Sequence, residues 1–133
     1  MNKYSARSER KLKTAHPLLQ IVFRSVLQDM DHTIVEGRRG KKKQNAYYSS
    51  GKSRVKWPKG KHNSKPSKAI DAGPYINGKL SEHVGQCCYF AALVVERARQ
   101  FGIIIRWGGN WDGDEEIMTD QQFQDLWHFE IIL

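Results

Sequence analysis

The sequence predicts an α+β fold in a single domain, and three observations carry that expectation. The chain has 133 residues, 39% of them hydrophobic, enough to bury one compact core and too few for two. Two stretches, near 17–30 and 81–102, repeat apolar residues at helical spacing. Short β-branched or aromatic runs stand between and after them, at 33–36, 69–71, 103–107 and 127–133.

Taken in order, residues 5–30 read as helical. After the polar lead Ser8-Glu9-Arg10, Pro17 opens a run in which Leu18, Leu19, Val22 and Val26 recur, because proline suits a first helical turn. That stripe should dock on a sheet. Thr33 to Glu36 reads as a short strand ended by Gly37. From Arg38 to Lys68 there are twelve lysines and arginines and no acid, with Gly51, Pro58, Gly60 and Pro66 punctuating the second half. A long surface loop is expected there, of the kind that tends to carry function. Ala69 to Asp71 reads as a brief strand, and residues 73–78 as turn-rich. The clearest helix follows: Ser81 can cap it, Gly102 can end it, and Val84, Cys87, Cys88, Ala91, Val94, Val95 and Ala98 share a face. Both cysteines should point into the core. Ile103 to Trp107 reads as a buried strand, and Gly108-Gly109 leads into an acidic loop. In the run 127–133, alternation places Trp127, Phe129, Ile131 and Leu133 on one face and His128 and Glu130 on the other.

Composition narrows the function. Lysine and arginine number 22 against 14 acids, a net charge of +8, which favours a polyanionic partner. No run approaches the ~18 apolar residues of a membrane span. Met1 to Lys13 lacks the apolar segment of a secretory signal, so work outside the cytoplasm would need another exit route. The only two cysteines are adjacent, which excludes a disulfide framework.

His128 and Glu130 are polar residues on an otherwise apolar terminal strand, and an unpaired buried polar group costs roughly 1–3 kcal/mol. Metal ligation would satisfy them. His128 has Asp125 three residues upstream and His62 precedes Asp71, giving two histidine–carboxylate pairs in separate segments. A catalytic zinc site takes three N or O ligands, an open position for water and a nearby carboxylate. The residues alone leave open a plainer alternative, in which His62 sits in a solvated loop and His128 is an ordinary strand histidine. The basic stretch likewise reads as a solvated charge run, as an attractor for anionic polymers, or, with Tyr47, Tyr48 and Trp57 interleaved, as a nucleic-acid surface. His83 and Cys87 are four apart and share a helical face, but burial of Cys87 in the core is the favoured reading. His16 and His32 read as surface or capping groups. In the acidic loop of Asp112, Asp114, Glu115, Glu116 and Asp120, the first four offer oxygens to a hard cation such as a regulatory calcium ion, but without the glycine and glutamate positions of an EF-hand a solvated acidic loop is the favoured reading.

The run His62-Asn63-Ser64-Lys65-Pro66-Ser67-Lys68-Ala69-Ile70-Asp71, continued by Ala72-Gly73-Pro74-Tyr75, resembles the zinc-binding segment of bacteriophage cell-wall peptidases. These belong to the D-alanyl-D-alanine carboxypeptidase superfamily, and the resemblance is to its L-alanyl-D-glutamate endopeptidase endolysins. Three further segments agree, in the same order. Val35-Glu36-Gly37-Arg38-Arg39 with Gln44 resembles the strand-end arginine motif, Ile105 to Asp112 the central strand and loop, and Asp125-Leu126-Trp127-His128-Phe129-Glu130 the closing motif. The resemblance implies that His62, Asp71 and His128 bind zinc, that Asp125 is the catalytic carboxylate and that Arg39 faces the scissile carbonyl. A role for Glu130 in orienting a ligand is a further expectation. Gly60 stands where many relatives have serine, the interval to Asp71 is longer and contains Pro66-Ser67, and the base is Asp where many members have Glu. The Pro-Ser form and the Asp base both match the phage branch.

The implied fold is a small, largely antiparallel sheet packed by two main helices, with zinc at the sheet surface and residues 1–133 forming one catalytic domain without a separate wall-binding module. The implied substrate is the peptidoglycan stem peptide, cut between L-alanine and D-glutamate, with anionic wall polymers engaged by the basic stretch. A D-alanyl-D-alanine carboxypeptidase is the alternative within the enzyme class, and a basic nucleic-acid-binding protein the alternative outside it. A monomer is expected, accumulating in the host cytoplasm and reaching the wall through a holin-type pore.

Overall fold

Residues 1–110 and 125–133 are described by the structure, a computed structural model. Among them the order is α1 (Ala6–Leu12), α2 (Pro17–Leu27), β1 (His32–Glu36), α3 (Lys41–Ser49), a 3₁₀ turn (Lys61–Asn63), β2 (Ala69–Ile76), β3 (Lys79–Leu80), α4 (Val84–Gln100), β4 (Ile104–Trp107) and β5 (His128–Ile132). The stretch read as one helical region is therefore two helices. Ser5 caps the first by accepting the Ser8 N–H, and His16 caps the second through Nδ1, which accepts the Leu18 N–H at 3.1 Å. His83, not Ser81, caps α4. Ser81 sits two residues back, where its Oγ accepts the His83 N–H at 3.1 Å. The His83 ring is thus spent on the helix end, and Cys87 is fully buried as expected. Cys88 is half-buried against the core.

The sheet is antiparallel throughout, in the order β1-β2-β5-β4, with β3 pairing the far end of β2. The brief strand expected at 69–71 runs on to Ile76, and the turn falls at Asn77-Gly78, both at positive φ. One face carries Ile34, Ile70, Ala72, Ile105, Phe129 and Ile131, which pack on the apolar stripes of α2 and α4. Phe129 anchors this layer, meeting Phe23 and Phe90 edge-on at 5.4 and 5.7 Å between centroids. Full burial of such a ring contributes about 1.5–3 kcal/mol. Alternation turns Glu36, Asp71, His128, Arg106 and Glu130 to the opposite face.

Four expectations need correction. The stretch 38–68 is not one loop, since α3 and the 3₁₀ turn lie within it. Residues 103–107 form an edge strand, with Ile104 63% exposed beside buried Ile105 and Trp107. Trp127 precedes β5 instead of joining its apolar face, and Leu133 is exposed. His32 is no surface group. It is 3% exposed, wedged against Phe90 and Phe23, with the Tyr4 hydroxyl on Nε2. The acidic residues 112–120 lie outside the described residues. No described helix is long and apolar enough to cross a membrane.

Candidate active site

Strand register builds the site. Asp71 on β2 pairs directly with His128 on β5, and on its other side with Glu36 on β1. The second pairing depends on a bulge between Ile34 and Glu36. Ile34 pairs Ala72, so a regular strand would bring Val35 opposite Asp71, and the extra residue brings Glu36 there instead. One rung along, Arg106 on β4 pairs Glu130 on β5. Four strands thus lay polar residues across one face of the sheet, and the 3₁₀ turn brings His62 down on it.

Three donor atoms converge. His62 Nε2 lies 3.1 Å from Asp71 Oδ1 and 3.3 Å from His128 Nδ1, and His128 Nδ1 lies 3.2 Å from Asp71 Oδ1. The donor chemistry fits a divalent ion. Donors placed tetrahedrally at about 2.0–2.1 Å from one ion stand roughly 3.3 Å apart, so these three form the triangle such an ion requires. The remaining ring nitrogens are occupied in the right sense. His62 Nδ1 donates to the Gly37 carbonyl at 2.7 Å and His128 Nε2 to Glu130 Oε1 at 3.0 Å, which leaves Nε2 of His62 and Nδ1 of His128 facing the centre. Glu130 is itself held by Arg106 Nη2 at 2.8 Å.

Charge and burial oppose each other here. Burial alone would raise the Asp71 carboxyl, but the charges and hydrogen bonds of His62 and His128 outweigh it and hold it well below the usual carboxylate range. For His128 burial pulls down, while bonds to Asp71 and Glu130 win and push the metal-free ring up to about 9. Asp125 behaves differently: burial, reinforced by the Asp71 charge, raises its carboxyl. Its Oδ1 takes a 3.4 Å contact from the Trp127 N–H, and it lines the same cavity as Asp71 and His128.

Arg39, 7% exposed, is gripped on several sides. Its Nη2 donates to Glu36 Oε2 at 2.9 Å and reaches Asp71 Oδ2 at 3.4 Å, its Nη1 donates to Gln44 Oε1 at 3.0 Å, and the Tyr47 ring lies 4.5 Å from its Cζ. Motif reading names Glu36 and Gln44 within the strand-end arginine motif and Tyr47 among the aromatics of the basic stretch, but assigns none of them this role around Arg39. Gln44, 1% exposed, uses its whole amide. Oε1 accepts from Arg39 and from Asn63 Nδ2, and Nε2 donates to Ser53 Oγ at 2.9 Å and the Val55 carbonyl at 2.7 Å. One side chain therefore ties α3 to the arginine, to the turn bearing His62 and to the strap at 53–55. A buried Gln within a basic run was the available signal, since buried amides must be fully bonded.

All five expected site residues, His62, Asp71, His128, Asp125 and Arg39, line one cavity of about 490 Å³. Among the described residues, His62, Asp71 and His128 form a group that can hold a metal ion.

The chain is similar to known proteins in both fold and sequence. The L-Ala D-Glu endopeptidase ChiX of Serratia marcescens superposes with a TM-score of 0.79 at 27% identity, covering 97% of this chain and 89% of its own. The LdcB LD-carboxypeptidase shares the fold at a TM-score of 0.55 and 16% identity, over 88% of this chain and 58% of its own. The L-alanyl-D-glutamate peptidase of Escherichia phage T5 is 33% identical over 98% of both chains. The profile of the phage L-alanyl-D-glutamate peptidases matches residues 1–132, and on that match, together with the phage T5 relative, the chain belongs to the phage L-alanyl-D-glutamate peptidase family.

Proposed function

We propose that this chain is a zinc-dependent phage endolysin that hydrolyses the bond between L-alanine and D-glutamate in peptidoglycan stem peptides. The observation that carries the proposal is the convergence of His62, Asp71 and His128 on one point, beside Asp125 and Arg39. The two histidines and the aspartate would hold the zinc ion. Bound there, zinc supplies Lewis acidity, which lowers the pKa of water towards ~7 and polarises a carbonyl oxygen.

The protein's own groups do the rest. Asp125 takes the proton of the attacking water on its carboxylate and returns it to the nitrogen of the leaving D-glutamate residue. Its raised pKa suits both transfers, because a base poised nearer neutrality gives the proton back more readily. Arg39, fixed by Glu36, Gln44 and Tyr47, holds a guanidinium ready for the oxyanion that develops on the alanine carbonyl, so little reorganisation is needed as charge appears. Glu130 holds the His128 ring in the ligating tautomer.

We take the acting species to be a monomer formed by residues 1–133, accumulating in the host cytoplasm and reaching the wall through a holin-type pore. The basic face draws it to anionic wall polymers. Mass spectrometry of muropeptides digested by the zinc-loaded protein tests the reading. A new D-glutamate amino terminus is expected, and free D-alanine in its place would make the enzyme a D-alanyl-D-alanine carboxypeptidase. Metal analysis should find one zinc per chain, lost in Asp71→Ala.

A further inference from the structure

The cavity is unevenly charged. Among the described residues four acids line it, and three are ion-paired: Glu36 with Arg39 and Lys43, Glu130 with Arg106 and His128, and Asp71 with His62, His128 and Arg39; the fourth, Asp125, feels the opposing charges of Asp71 and His128. The wall running from Lys52 to Lys61 is different. Lys52, Lys59 and Lys61 line the cavity, and among the described residues none of the three has a carboxylate within ion-pairing distance. Lys52 lies 5.4 Å from the centre of the Tyr47 ring, which also carries Arg39 at 4.5 Å and Lys43 at 5.6 Å. Three cations gathered on one ring repel each other, and Glu36 answers only Arg39 and Lys43. The wall is also fixed in place, since Gln44 holds Ser53 and Val55, and Asn45 Oδ1 accepts the Trp57 N–H at 3.1 Å. Lys61 immediately precedes His62. A positive wall in a cleft with Val55 and Trp127 beside it concentrates an anion.

The proposed substrate supplies one. In the stem peptide, D-glutamate continues the chain through its side-chain carboxyl, so its α-carboxylate is free. That carboxylate is joined through a single carbon to the nitrogen of the bond to be cut, so it must enter the cavity with that bond. We propose that Lys52 and Lys61 form a carboxylate subsite for this group, and that the enzyme therefore prefers stem peptides bearing D-glutamate over those amidated to D-isoglutamine. The inference rests on the peptidase reading above and sharpens its substrate.

The test gives the zinc-loaded protein two synthetic peptides, acetyl-L-Ala-γ-D-Glu-L-Lys and its α-amide. Release of the new amino terminus is followed by chromatography. The acid should be cut with a kcat/KM about tenfold higher, the size expected for one partly exposed charge-assisted contact. Most of the difference should lie in KM, and it should shrink as salt is raised, because exposed charges are screened. In Lys52→Met/Lys61→Met the preference should fall below about threefold, whereas Lys52→Arg/Lys61→Arg should keep it. Equal rates for the two peptides in the parent protein, or an undiminished preference in the double methionine variant, would overturn the subsite. If neither peptide is cut while stem peptides lose D-alanine, the endopeptidase reading itself fails and the subsite with it.

Discussion

At the scale of single residues, the proposed mechanism separates groups that would hold the ion from groups that would move protons. Asp71 sits between two histidines and an arginine and is held as a carboxylate, which suits it to the proposed ligand role and makes it a poor base. Asp125, raised by burial and by the Asp71 charge, is the group able to exchange a proton. Asp125→Ala should therefore keep its zinc, as measured by metal analysis, while turnover drops by about 10²–10⁴-fold. Unchanged rates would remove Asp125 from the mechanism. Glu130 acts one step away. Glu130→Gln keeps the shape but replaces the carboxylate that receives His128 Nε2–H, and zinc affinity measured by chelator competition should weaken about 10–100-fold.

At the scale of elements, the junction between β4 and β5 is where packing and chemistry meet. The Gly108 N–H donates to the His128 carbonyl at 2.8 Å, and the Gly108 carbonyl accepts the Asp125 N–H at 3.1 Å. A Cβ at Gly108 would lie 2.0 Å from the Asp125 carbonyl oxygen, and both are backbone that cannot yield cheaply. Gly108→Ala should lose about 1–3 kcal/mol in denaturant unfolding and most of its activity together. Gly40→Ala, with nothing within 4 Å, should leave both nearly unchanged. The sequence carried the elements that have an apolar stripe or alternation: α2, α4, β1 and β5 were legible because Leu19, Val22 and Val26, or Phe129 and Ile131, must face a core. The ligands were legible because His62, Asp71 and His128 stand within recognisable motifs. The helix α3 was not, because its one buried side chain is the polar Gln44, which gives no hydrophobic period to read. The bulge that seats Glu36 was equally hidden, since register belongs to the pairing of two strands and not to either alone.

At the scale of the whole molecule, two buried histidines set opposite pH limits. Burial depresses His32 to about 4, with a smaller opposing pull from the Met30 carbonyl, against about 6.5 in the unfolded chain. The unfolded chain therefore binds more protons between those values, and stability falls by roughly 3 kcal/mol as pH drops from about 6.5 to about 4. His128 in the metal-free protein is raised to about 9. Its contribution is full below about 6.5 and disappears as pH rises through about 9. Urea midpoints of the metal-free protein should thus peak near pH 6.5 and decline on both sides. Zinc loading, which needs His128 Nδ1 without its proton, should release protons at neutral pH and abolish the alkaline decline. Two falling arms in the loaded protein, or no peak in the metal-free one, would contradict this assignment.

The position of β5 in the sheet has a wider consequence. It is inserted between β2 and β4 in the strand order and pairs with both, and it delivers His128 to Asp71 by the same pairing that closes the sheet. Any excursion that peels this segment away opens the hydrophobic layer and scatters the donor atoms in one event. Partial unfolding therefore leaves no half-competent species: a molecule that loses its middle strand loses the proposed ion site with it.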